Sequence, residues 1–147
     1  MVRSVLGVII GYILMFILQI IAFMSIYTMM GADWSFQPGS YQASTAWTAM
    51  QFTVILITTI IAGLICAVIA KGGKAPLVLA GLVLVLGLAL GAASMTMRPA
   101  DTHEVRTASV PNMEAMQKAR HPAWVILLGP IIGAVGVVIG GNLKRRG

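Results

Sequence analysis

The chain has 147 residues, a net charge of +6, one cysteine and a mean hydropathy of +0.93, with 59% of residues hydrophobic and only 10% charged. Such usage lies far outside that of soluble globular domains. The positive excess does not point to nucleic acid, because it is split into short clusters with no soluble domain behind them, and a lone Cys66 excludes both an intramolecular disulfide and a redox-active cysteine pair.

Four runs, residues 5–30, 47–70, 77–97 and 123–143, contain no Asp, Glu, Lys, Arg or His, and each is at least 21 residues long. At a rise of about 1.5 Å per residue, each is long enough for a helix to cross a hydrocarbon core of about 30 Å. Helices are also the economical choice there, because backbone amides in lipid must be bonded within their own segment. The expected fold is all-α: an integral membrane bundle of four antiparallel transmembrane helices in one domain.

The first run follows Met1-Val2-Arg3, which resembles the basic start of a signal peptide. Its apolar stretch is much longer than the 7–15 residues of a signal core, and no small-x-small cleavage site closes it, so it reads as an uncleaved span. Gly7 and Gly11 form a small-xxx-small pair on it. Gln19 lies in mid-span, where an unpaired amide is costly, so it is expected to face inward and bond Thr58 or Thr59 at matching depth on span two. A quinone or substrate contact is the other reading of Gln19.

Residues 31–46 form the first long connection. Pro38-Gly39 is a turn dipeptide, and Trp34, Phe36, Tyr41 and Trp47 suit a loop lying on lipid headgroups. Ser44 or Thr45 is placed to cap span two. That span carries Gly63 and Ala67 as a further small pair, with Cys66 as a packing residue. A tight turn, 71–75, brings Lys71 and Lys74, and Pro76 suits the first turn of span three, which carries Gly87 and Gly91.

The second long connection, 98–122, includes a predicted short helix over 112–120. Asn112 would cap it, Glu114 and Lys118 pair at i,i+4, and Met113 and Met116 dip toward the membrane surface. Span four has the strongest pattern in the chain. Gly129, Gly133, Gly136 and Gly140 are spaced 4-3-4 and share one stripe, a seam along which another backbone fits closely. The seam reads either as a dock for a partner or as packing within the chain. Pro130 is expected to kink or loosen the helix. Both second spans open near a Trp (Trp47, Trp124), as a duplicated hairpin would, but interfacial anchoring is the preferred reading of both, because aromatic belts are universal and repeats are not; Trp34 is a third anchor.

The charges sort by side. Arg3, Lys71, Lys74 and the tail 144–147 with Lys144, Arg145 and Arg146 carry no acid among them. The two long connections balance Arg98, Arg106, Lys118 and Arg120 against Asp33, Asp101, Glu104 and Glu114. Basic residues mark cytoplasmic loops, so the expected topology is N-in and C-in, with the two long loops outside, in a plasma membrane of the bacterial inner type.

The emptiness of the spans bears on function. Proton relays, ion-coupled transporters and voltage sensors place ionisable groups inside the membrane, and transmembrane haem needs His within helices, whereas His103 and His121 lie outside the runs. There is no Ser/His/Asp arrangement, no phosphate-binding glycine loop and no paired acids on a regular element, so nothing in the chain calls for an enzyme or a cofactor. Met24, Met29, Met30, Met50, Met95, Met97, Met113 and Met116 with the two histidines offer soft ligands for Cu(I), but they form no tight cluster, and methionine also fills irregular gaps. Asp101, His103 and Glu104 are one ligand short of a metal site. The expected function is a small non-enzymatic accessory subunit. It would pack its small-residue faces against itself or a larger membrane complex, with lipids and other transmembrane helices as partners. The alternative is a binding or transport protein for an uncharged hydrophobic or lipid-like ligand.

Overall fold

The computed structural model describes residues 1–37, 43–71, 73–97 and 121–147. The elements are α1 (Val2–Met30), a short α2 (Ala32–Ser35), α3 (Thr45–Ile69), α4 (Ala75–Met97) and α5 (Ala123–Arg146). Four of these helices are long and apolar enough to cross a membrane. The Pro38-Gly39 turn, Tyr41 and the segment 98–120, including the expected helix over 112–120, lie outside the described residues.

The helices overrun the charge-free runs at several ends. α1 starts at Val2 and α5 continues through Lys144, Arg145 and Arg146, so the basic tail is the last helical turn. Cations there complement the negative C-terminal end of the helix dipole. Ser44 is the cap of α3: its Oγ accepts from the Trp47 amide at 3.0 Å and donates to the Trp34 carbonyl at 2.7 Å. α4 takes up Pro76 in its first turn, where no N–H is needed. α5 is helical through Pro130.

Contacts fix which helices meet. Along α1 and α3, Gly7 lies at the Cys66 carbonyl and Ala70, Gly11 at Cys66 and Ala62, and Gln19 at Thr58. Along α4 and α5, Gly91 lies at Ile126, Gly87 at Pro130, and Pro76 at Gly141. α3 and α5 form the closest pair: Phe52 meets Trp124, Gly133 meets Thr59, and Gly140 meets Ile60 and Leu64. The loop end of the molecule therefore gathers Met30, Thr45, Met97 and Ala123. The turn end gathers Ile69, Ala75 and Arg146.

At the turn half, the core joins Met15, Ala62, Cys66, Leu79, Val83 and Val137. At the loop end, Tyr27, Phe36, Ala43 and Trp47 form a second cluster, with Phe23 and Trp34 packed on it. Trp47 stands edge-on to both Tyr27 and Trp34, with ring centroids 6.0 and 6.2 Å apart. An isolated bridge pairs Phe36 with Ala43 at this cluster. Of the three expected interfacial anchors, Trp47 is only 7% exposed, packed with Phe36 and Ala43, whereas Trp124 is 58% exposed and Trp34 is half-buried.

Candidate functional site

The small-residue positions read from the sequence all face other helices of the same chain. A methyl built on Gly63 would run into the Val137 carbonyl, and one on Gly140 into the Ile60 carbonyl, with the Leu64 amide nitrogen 2.8 Å away. One on Gly136 would strike the Thr59 hydroxyl and lie 3.1 Å from the Leu56 carbonyl. Gly7 and Gly11 take α3 and Leu79 in the same way, and Ala67 is buried. Among the described residues, then, the expected docking seam is occupied from within. Backbone pressed on backbone leaves that part of the stripe no room for a second protein.

The other half of the stripe behaves differently. A methyl on Gly129 would meet only the tip of Ile55, at 3.8 Å, and beside it the four long helices part around a cavity of about 320 Å³. Each helix contributes residues at helical spacing. Tyr12, Met15, Phe16 and Gln19 come from α1, and Gln51, Ile55 and Thr59 from α3. Val83, Gly87, Leu90 and Ser94 come from α4. Val125, Ile126, Gly129, Pro130 and Gly133 come from α5, with His121 just ahead of it. The Pro130 ring seats on Gly87, where a methyl would come within 2.7 Å of it, so proline and glycine together shape this wall.

The polar groups of the cavity are mostly at its loop end, and their hydrogen bonds decide what they present. The Ser94 hydroxyl donates to the Gly91 carbonyl at 2.7 Å, and Thr59 donates to Ile55 at 2.6 Å. Their protons are committed to their own helices, so what faces the cavity is oxygen lone pairs. Gln19 Nε2 donates to Thr58 Oγ1 at 3.4 Å, and Thr58 in turn donates to the Val54 carbonyl at 2.8 Å. The Gln51 Oε1 atom is buried and, among the described residues, accepts no hydrogen bond. Such an acceptor costs about 1–3 kcal/mol unless something donates to it. The site is a chamber with apolar walls and several acceptors, and it carries no formal charge on Gln, Ser or Thr.

Sequence reasoning found Gln19, Thr59, Gly129 and Gly133 but missed Gln51, Ser94 and Tyr12 as partners in one site. Gln51 has the same signal as Gln19, an amide inside an apolar run. His121 was read only as a ligand candidate for haem or copper. Among the described residues no group of three His, Cys, Asp or Glu comes together. His103, Met113 and Met116 lie outside them. Lys71, Lys144 and Arg145 gather at the turn end, where Arg145 Nη2 donates to the Gly73 carbonyl at 3.3 Å; Lys74 and Arg146 do not line the space they enclose. Comparison with protein-family models, curated proteins and solved structures finds no match for the chain.

Proposed function

We propose that the chain is an intramembrane binding protein for a small, uncharged amphiphile that carries a hydrogen-bond donor, such as an alcohol or an amide. The carrying observation is the cavity of about 320 Å³ in which the Gln51 acceptor stands above apolar walls. That volume falls at the lower end of known ligand pockets. An apolar tail would lie along Leu90, Val125 and Ile126, and its head would donate to Gln51. A cationic ligand would find no carboxylate among the described lining residues, at a cost far above that of a neutral one.

In this reading the four long helices form an up-and-down bundle in a plasma membrane of the bacterial inner type. The loop end faces outward and the turn end, with its cations, faces the cytoplasm, as the positive-inside bias supports. The apolar outward side of α1, with Leu6, Ile9, Ile13, Ile17 and Ile20 exposed, is solvated by lipid tails. The accessory-subunit reading now rests on that same side of α1, because the α5 seam is filled from within.

Photolabelling with a diazirine-bearing octanol in nanodiscs tests the binding reading. Saturable labelling at Leu90 or Ile126, competed by unlabelled octanol, is expected. Labelling that is unsaturable and spread over the outward side of α1 refutes it.

A further inference from the structure

At the turn end, α3, α4 and α5 enclose a second cavity, of about 430 Å³, which the binding reading does not use. Lys71, Lys144 and Arg145 line it, and none of its described lining residues is acidic. We propose that these three cations bind the phosphate of an anionic lipid headgroup.

The three cations come from two places in the sequence, Lys71 after α3 and the adjacent Lys144 and Arg145 at the end of α5, and are brought together by the fold. Lys71 follows the end of α3 with a φ of 53°, a left-handed conformation unusual for a non-glycine residue, and its side chain lines the cavity. Lys144 and Arg145 lie in the last turn of α5. Arg145 spends one N–H on the Gly73 carbonyl, which ties α5 to the α3–α4 turn and leaves the rest of its planar fork to donate. Gly73 itself sits at a φ of 85°, and Gly141 lets the Pro76 ring approach so closely that a methyl there would be 2.5 Å from it. Pro76 against Gly141 thus forms an apolar part of the lining, and Ala67 and Val68 continue the wall down the side of α3.

This arrangement matches the two parts of a phospholipid. The phosphate meets three cations without a competing carboxylate, and the first acyl segments lie against Ala67 and Val68. Basic pockets between transmembrane helices on the cytoplasmic side are suited to such headgroups, and each Lys or Arg near the surface contributes a factor of about five to the attraction. A soluble phosphate would satisfy the cations but would leave the apolar wall uncovered.

Native mass spectrometry of the full chain in mild detergent, titrated with phosphatidylglycerol or phosphatidylcholine, separates these cases. The wild type is expected to retain phosphatidylglycerol in preference to phosphatidylcholine. The double variant Lys71→Gln/Lys144→Gln should lose affinity for phosphatidylglycerol by roughly 30-fold. The control Arg3→Gln/Lys74→Gln removes the same charge outside the cavity and should lose clearly less, because those side chains do not line the site and act on the headgroup only through the screened surface field. Equal losses in the two doubles would overturn the site in favour of a general surface field. Lys71→Arg/Lys144→Arg, which keeps the charge, should keep the lipid; loss there also contradicts the proposal. Displacement of the lipid by millimolar inorganic phosphate would assign the cavity to a soluble anion instead.

Discussion

The two halves of the α5 glycine stripe use the same residue, at the same spacing, for opposite ends. Toward the turn end, Gly136 and Gly140 let α3 press its carbonyls directly against α5. Toward the loop end, Gly129 leaves space, while Gly133, where a methyl would lie 3.2 Å from Val83, marks the transition, and the helices separate around a cavity with Gln51 above it. A glycine in a membrane helix therefore has no meaning by itself. What faces it decides whether it closes a contact or opens a chamber.

The largest contrast expected from this division is in stability. Gly140→Ala and Gly63→Ala each force a methyl into a backbone carbonyl that cannot rotate away, and should each cost about 1–3 kcal/mol or more, read as a fall in the thermal midpoint in mild detergent. Gly129→Ala should change it by less than about 0.5 kcal/mol. Equal costs at the two ends would erase the distinction between them. Next in size is Gln51→Leu. Removing a buried acceptor that has no donor among the described residues should raise the stability of the ligand-free protein by about 1 kcal/mol while weakening retention of a donor-bearing amphiphile. Lower stability with unchanged retention would show Gln51 to be structural. The smallest effect is at Gln19→Leu, where loss of the long bond to Thr58 should cost about 0.6 kcal/mol, measurable by a double-mutant cycle with Thr58→Val.

Much of the helical content was legible in the sequence, because lipid leaves the backbone few alternatives and a charge-free run of such length declares itself. The helix ends were less so, since a helix does not stop where charge begins: Lys144 and Arg145 are helical. The close pairing of α3 with α5 was not legible. Helices that are apolar all round carry no polar face to orient them, and small residues mark a close approach without naming the partner. The packing around Trp47 was not legible for a related reason. An aromatic residue at the end of an apolar run suits both a lipid interface and a covered cluster, and only the packing with Phe36 and Ala43 decides between them. Gln51 escaped notice although it carries the same signal as Gln19, because it stands in the first two turns of its span rather than at mid-depth. An amide buried without a donor is as good a marker as an ionisable group.

The central claim is that the loop half of the stripe lines a binding chamber. Gly129→Phe tests it most directly, since a Cβ at Gly129 meets nothing nearer than Ile55 at 3.8 Å and a ring carried on it would enter the cavity that Gly129 lines. Native mass spectrometry from nanodiscs should show one neutral amphiphile on the wild type and none on Gly129→Phe, with the variant still melting within a few degrees of wild type. A neutral amphiphile retained equally by Gly129→Phe, or absent from both proteins, would contradict the account.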